Sequence, residues 1–226
     1  MPAVVGIDLG TTFSCVATID PKGEPVAIVN FEGSYTTPSI VAYSDDGIVV
    51  GKFANKTKKI ENIIYDSKRF IGRQYDDISV QNDMQLWPFV VVNDEGKPIA
   101  KLDQNGVEKK VAAEEVSAEV LKMMKKVAEN YLKEEVTKAV ITVPANFDQR
   151  QRHATMEAAK LAGIEVIRLL NEPTAAAIAY GVHNEGMKSV LVYDFGGGTF
   201  DISIAKCEGN KKLRTVATAG HKHLGI

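Results

Sequence analysis

Apolar and polar positions follow the same order in two widely separated stretches of the chain. In Val4-Val5-Gly6-Ile7-Asp8-Leu9-Gly10-Thr11-Thr12-Phe13 a β-rich run meets an acid, a glycine turn and hydroxyls, and a second β-rich run follows over residues 14–19. Val190-Leu191-Val192-Tyr193-Asp194-Phe195-Gly196-Gly197-Gly198-Thr199-Phe200 repeats that order with more glycine, and residues 201–205 continue as a strand. Period-two alternation marks half-buried strands. Two strand–turn–strand units of one type predict a duplicated fold with two similar lobes.

Between the two units the pattern predicts strands at 26–30, 39–43 and 87–92, a helix over 51–64 and an exposed hairpin region at 93–112. A longer helix is predicted over 113–136, where Val116, Val120, Met124, Val127 and Tyr131 recur at spacings of three or four, with Lys and Glu on the other face. Met123 and Met124 read as packing residues. A βαβα series follows. A strand at 138–143 ends at Pro144, and Asp148 caps a helix running to Gly163, which suits the C′ position. After a strand at 165–170, Pro173 opens a helix over 175–180 that Gly181 closes. This alternation predicts α/β layers. Residues 1–36 and 113–185 are expected to form the core of a first lobe, 37–112 an inserted outer subdomain, and 186–226 the start of a second-lobe core. The segment His183-Asn184-Glu185-Gly186 is the candidate boundary.

Composition narrows the partners. Of 226 residues 45% are hydrophobic and 25% charged, with a formal net charge of -2, which predicts a soluble globular chain. That balance gives no electrostatic reason to expect nucleic acid or an anionic membrane as a partner. Any anionic ligand must therefore be held locally. Cys15 and Cys207 are too few for a disulfide framework and read as buried, reduced thiols. No apolar run approaches the roughly 20 residues that span a bilayer, and no basic segment precedes an apolar one at the N-terminus. A cytoplasmic protein is the expectation.

The two acidic turns carry the candidate chemistry. A nucleoside triphosphate needs backbone N–H donors, hydroxyls and a divalent cation. Glycines let the backbone approach phosphate oxygens, and Thr11, Thr12 and Thr199 offer hydroxyls. Asp8, Asp194 and Asp201 repel phosphate but can hold Mg²⁺ through its waters or orient an attacking water. Either turn alone fits an ordinary hairpin equally well; the matched pair favours phosphate. No Gly-x-x-x-x-Gly-Lys-Ser/Thr occurs, and each turn leads into a strand rather than the helix of a dinucleotide fingerprint.

Ile7-Asp8-Leu9-Gly10-Thr11-Thr12, Asn171-Glu172-Pro173-Thr174-Ala175-Ala176-Ala177 and Asp194-Phe195-Gly196-Gly197-Gly198-Thr199-Phe200-Asp201 resemble the three signature segments of Hsp70 ATPase domains. Thr36-Thr37-Pro38-Ser39, Ser67-Lys68-Arg69-Phe70-Ile71-Gly72-Arg73 and Val140-Ile141-Thr142-Val143-Pro144-Ala145 match in the same order, so the resemblance covers essentially the whole chain. Actins and sugar kinases share the underlying fold but not this set. The resemblance implies an α/β, actin-like ATPase (ribonuclease H-like) fold, with one complete lobe plus the start of the second. It also implies ATP/ADP and Mg²⁺ as cofactors, with K⁺ as a further candidate.

Carried over position by position, the resemblance makes Lys68, Glu172, Asp194 and Thr199 the catalytic set. Asp8, Gly10, Thr11 and Thr12 would form one phosphate loop, and Gly196, Gly197, Gly198 and Thr199 the other. Asp8, Glu172, Asp194 and Asp201 would surround hydrated Mg²⁺, and which acid serves as base stays open. Without the family, Lys68 and Arg69 are a solvated basic pair, and Glu172 is helix N-terminal charge. Pro144, Arg152 and Arg168 resemble residues that couple nucleotide state to the substrate domain, linker or J-domain partners. Alone they read as a strand terminator and polar surface.

Three departures from the family stand out. Asn146 replaces an aromatic residue and Tyr35 an arginine, which points to a divergent member. His221 replaces an aspartate in Gly220-His221-Lys222-His223-Leu224-Gly225-Ile226, where a distorted end is expected rather than a metal pair of His221 and His223. The chain also stops about where the family's second lobe would continue. Weak nucleotide binding, little hydrolysis, exposed strand edges and self-association are expected of it alone. For the whole protein the expected partners are a J-domain co-chaperone, a nucleotide-exchange factor and client polypeptides. The alternatives are a small-molecule kinase of the same superfamily and a non-enzymatic partner-binding module.

Overall fold

The computed structural model describes residues 3–181, 189–197, 199–208, 212–221 and 224. The boundary predicted at 183–186, Gly198 and His223 lie outside the described residues. The first acidic turn joins β1 (Ala3–Asp8) to β2 (Phe13–Ile19), an antiparallel hairpin with Gly6 opposite Ala17 and Asp8 opposite Cys15. Next to β2 lie β3 (Pro25–Ala27) and β4 (Thr37–Pro38). β3 stops short of the predicted residue 30. There the Asn30 side-chain oxygen accepts the backbone N–H groups of Glu32 and Ser34, each at 2.9 Å, and folds the chain into a turn.

A small sheet follows, ordered β6-β5-β7 from β5 (Val41–Ser44), β6 (Gly47–Val50) and β7 (Ile63–Ile64). The helix predicted over 51–64 is replaced by two 3-10 turns, Lys52–Lys56 and Ile60–Asn62, ahead of β7. Tertiary contacts override the local pattern: Ile63 and Ile64 pair with β5, and buried Asn62 donates to the carbonyls of Tyr43 and Asp103 at 3.0 and 2.5 Å. Two short helices come next, α1 (Ser67–Phe70) and α2 (Ile78–Asp83). A three-stranded antiparallel sheet follows from β8 (Val90–Asp94), β9 (Lys97–Gln104) and β10 (Val107–Ala112). Trp87 and Phe89, predicted as strand, instead stack at 5.1 Å in the core beside Phe70.

The long amphipathic pattern forms α3 (Ala113–Leu132), with Val116, Val120, Met124 and Val127 buried. It ends before the predicted residue 136, because Lys133 turns left-handed at φ 58° and Val136 begins β11 (Val136–Val143). Tyr131, placed on the apolar stripe by its spacing, is 53% exposed in this last turn. α4 (Gln149–Leu161) starts where the Asp148 side chain accepts the Gln151 N–H at 2.9 Å, and Gly163 follows its C-cap at φ 68°. β12 (Glu165–Asn171) leads directly into α5 (Glu172–Ala179), which has Pro173 in its first turn.

The main sheet runs β12-β11-β1-β2-β3, with β4 also on β2, and β1, β11 and β12 are parallel. Val5, Ile7 and Ile141 on this sheet share one core with Leu121 and Met124 of α3. One face of β1 is thus buried through Val5 and Ile7, while Gly6 and Asp8 on its other face line an open cleft. The second acidic turn joins β13 (Ser189–Phe195) to β14 (Phe200–Glu208), and β15 (Lys212–His221) completes an antiparallel meander. This meander repeats the β1–β2–β3 arrangement, so the predicted duplication appears at the level of the hairpins. Leu191 and Tyr193 on β13 are 62% and 66% exposed. One expectation changes: Cys15 and Cys207 are free thiols but only half-buried. β15 runs through His221, opposite Phe200, with a register shift between Ile204 and Ala205 of β14, and most of the end expected to be distorted lies outside the described residues.

Candidate functional site

The two hairpins bring their turns together. A cleft of about 750 Å³ is lined by Asp8, Gly10, Thr11 and Thr12 from the first turn and by Asp194, Gly196, Gly197 and Thr199 from the second. Lys68 and Glu172 also line it. A Cβ on Gly197 would overlap Thr12 Oγ1, so the loops approach as closely as they do only because that position has no side chain. A Cβ on Gly10 would likewise overlap the Phe13 carbonyl inside the first turn.

The first turn is held from outside the hairpin. Ser39 donates its hydroxyl to the Gly10 carbonyl at 2.8 Å, pairs with the Ser14 hydroxyl at 2.9 Å, and sends its N–H to Thr12 O at 2.8 Å. Thr142, at the end of β11, donates to the Asp8 carboxylate at 2.6 Å. In the second turn Gly196 N–H meets Thr199 O at 3.0 Å, and the Thr199 hydroxyl donates to Asp201 at 3.1 Å. Asp201 stands directly opposite Asp194 across β13 and β14 without lining the cleft. Gly198 lies outside the described residues.

Lys68 sits on α1 after Asp66, whose backbone is left-handed at φ 57°. This geometry turns the ammonium into the cleft, where it donates to the Leu9 carbonyl at 2.6 Å and to Glu172 Oε1 at 2.5 Å. The Lys68 and Glu172 side chains are only 9% and 18% exposed, and Phe147 covers the ammonium at 5.9 Å. Burial raises the Glu172 carboxyl above its ordinary value, Lys68 opposes that, and Asp8 and Asp194 add to it. Asp194 is raised too, first by burial, then by Asp201 and Asp8, against the pull of Lys68. The cleft is thus short of positive charge, with its carboxylates served by one ammonium.

The residues expected to couple the site to partners separate. Pro144 is buried and lines the cleft. Arg152 on α4 donates through Nε to the Phe147 carbonyl at 3.1 Å and through Nη2 to Asn171 at 2.9 Å, bridging the Pro144–Phe147 turn to the end of β12. Arg168 lies exposed on β12, opposite Val140. Spacing alone did not single out Ser39, Thr142 or Phe147, whose partners lie far away in sequence. The motifs containing Ser39 and Thr142 were the only available signal.

Among the described residues, no three His, Cys, Asp or Glu side chains stand close enough together to ligate one metal ion directly. No helix among them is long and apolar enough to cross a membrane. The family model for the Hsp70 protein matches residues 4–226. A heat shock protein of Pyricularia oryzae (strain 70-15 / ATCC MYA-4617 / FGSC 8958) is 45% identical over 226 residues, covering 98% of this chain and 36% of its own length. The chain therefore spans about a third of the length of that relative. Two acidic glycine turns facing each other over a buried lysine–glutamate pair, in a sequence matched along nearly its whole length, place this chain in the Hsp70 family.

Proposed function

We propose that the cleft binds Mg·ATP and transfers its terminal phosphoryl group to water, as the nucleotide-binding part of a chaperone whose nucleotide state controls peptide binding elsewhere in the protein. The observation that carries this reading is Lys68, held between Leu9 O and Glu172 where the two glycine turns converge. In this reading the N–H groups and hydroxyls of Gly10–Thr12 and of Gly196, Gly197 and Thr199 receive the phosphate oxygens. Lys68 stabilises the charge that builds up on the transferring phosphoryl group. Asp194, raised by burial and by its acidic neighbours, orients the attacking water and accepts its proton.

The donor set suits a hard divalent ion. Asp8, Glu172 and Asp194 provide oxygens only, and carboxylates this crowded favour a positive guest. With no direct three-ligand cluster among the described residues, the fit is to an ion that keeps several waters, as Mg²⁺ does. When bound, the ion neutralises phosphate charge against these acids. Asp201 serves this set indirectly, by holding Thr199 and by raising Asp194. K⁺ is a further candidate cation for the same oxygens.

The remainder of the nucleotide cleft, the substrate domain and the surfaces for a J-domain co-chaperone, an exchange factor and client polypeptides belong to the whole protein. The relative's extra length provides room for them. Pro144, Arg152 and Arg168 are proposed as the route by which the cleft reports its state, with Arg152 fixing the turn that carries Pro144. A cytoplasmic site of action is proposed as well. The test is phosphate release from Mg·ATP with no acceptor substrate present: slow release that disappears in Lys68→Ala supports the reading. Release that requires an added sugar or other acceptor sinks it.

A further inference from the structure

A second cavity, of about 50 Å³, shares Thr11, Lys68, Pro144 and Thr199 with the cleft but none of its carboxylates. Its other walls include Arg73, just beyond α1, and Gln151 in the first turn of α4. Gly72 makes that packing possible, at φ 65°, where a Cβ would stand 2.7 Å from Gln151 Cα. Gln151 is 3% exposed. Its Oε1 accepts the Asp148 N–H at 3.2 Å, yet its Nε2 has no acceptor among the described residues, and the same holds for the buried Arg73 Nε. Buried donors without acceptors are costly, so two such groups on one cavity call for a guest that accepts.

Charge around the cavity is close to balanced, because Lys68 already pairs with Glu172, so the donors without acceptors rather than net charge call for the guest. Lys68, Arg69 and Arg73 line the cavity against one carboxylate, that of Asp83. Asp66 stands 3.2 Å from Arg69 Nε, and Asp77 stands 3.7 Å from Arg73 Nη1. The volume suits a few waters or one small tetrahedral oxyanion. Arg73 also lines a larger open groove of about 870 Å³ beside Arg150 and His153 of α4. Lys68 therefore stands on a wall common to cleft and cavity, and Arg73 on one common to cavity and groove.

We propose that this cavity binds inorganic phosphate on its way out of the cleft, with Gln151 and Arg73 as its donors and Arg73 as the gate to the outer groove. The proposal rests on reading the cleft as an ATP-hydrolysing site. No bond is made or broken here. The freed phosphate exchanges the hydroxyls and ammonium of the cleft for donors that hydrolysis itself does not use.

The test is a calorimetric phosphate titration of the chain, with and without Mg·ADP, against chloride at matched ionic strength. Gln151→Glu keeps an acceptor for the Asp148 cap but puts a carboxylate in the cavity, while Arg73→Gln removes the charged donor. Each should weaken phosphate binding about tenfold or more, the effect of losing a charge-assisted hydrogen bond. Mg·ADP and Mg·ATP affinities should stay unchanged, which also confirms that the variants fold. Phosphate binding no stronger than the chloride control, or unaltered by both substitutions, overturns the site. Equal weakening of Mg·ATP would put the γ-phosphate, rather than freed phosphate, in the cavity, and also overturns it. Failure of the parent chain to bind Mg·ADP sinks the functional reading instead, and the nucleotide-free titration still decides on the cavity.

Discussion

Lys68 Nζ lies 2.5 Å from Glu172 Oε1, an ion pair joining residues 104 positions apart at the point where the two glycine turns meet. Its two side chains are mostly buried, so each charge depends on the other. Removing one partner of such a pair leaves an uncompensated buried charge, which costs more than the pair contributes. Lys68→Met should lower stability by about 1–3 kcal/mol at neutral pH, less than for a fully buried pair because some solvent reaches the site. Adding Glu172→Gln should recover part of that loss. Urea unfolding of the single and double variants checks this, and additive losses would contradict it.

The acidic cluster predicts a pH dependence with a definite sign. Asp194 and Glu172 are raised above their ordinary values of 3.8 and 4.5. The folded state therefore holds protons that the unfolded chain has released, and stability falls as pH rises from those ordinary values through the higher folded ones. Asp194→Asn removes one such charge and should be more stable than the parent at neutral pH. Its advantage should vanish below the ordinary aspartate value. Chemical unfolding at both pH values measures this, and a variant less stable at neutral pH would show that Asp194 is already compensated.

The close approach of the turns makes Gly197 a sensitive position. A methyl there would overlap Thr12 Oγ1, so Gly197→Ala must push the loops apart. Nucleotide affinity should fall about tenfold or more, since misplacing phosphate donors by a fraction of an ångström weakens several bonds at once. Gly23→Ala is the contrasting case. Its φ of 88° strains the backbone but nothing stands near the added methyl, so it should affect stability without affecting nucleotide binding. Calorimetry with Mg·ADP separates the two.

Arg152 makes two bonds that hold the Pro144–Phe147 turn to the end of β12. Lysine has the charge but not the planar fork, so Arg152→Lys should keep at most one of them and cost about 1 kcal/mol. A double-mutant cycle with Asn171→Ala measures the second bond directly. A coupling energy near zero would show that the contact does not hold the turn.

Local patterns made much of the fold legible in the sequence. The two acidic hairpins, the α3 stripe and the Asp148 and Gly163 caps of α4 are each determined within a few residues. The errors came where distant residues decide. Residues 51–64 carry a helix-like pattern, yet Ile63 and Ile64 belong to the sheet because β5 needs a partner. The site shows the same division. Asp8, Gly197 and Thr199 announce themselves through glycine-rich turns, whereas Ser39 under Gly10 and Phe147 over Lys68 leave no local trace. Lys68 itself reads as a surface lysine until its 59-residue reach to the Leu9 carbonyl is seen. The family resemblance, rather than spacing, singled it out.

The most direct test of the account is a calorimetric titration of this chain with ADP in the presence of Mg²⁺ and again with the ion chelated. With carboxylates on both sides of the cleft and one ammonium among them, a nucleotide can be held only with a cation between. The prediction is saturable but weak binding that requires Mg²⁺ and is lost in Lys68→Ala. No binding, or binding equally strong without Mg²⁺, contradicts it.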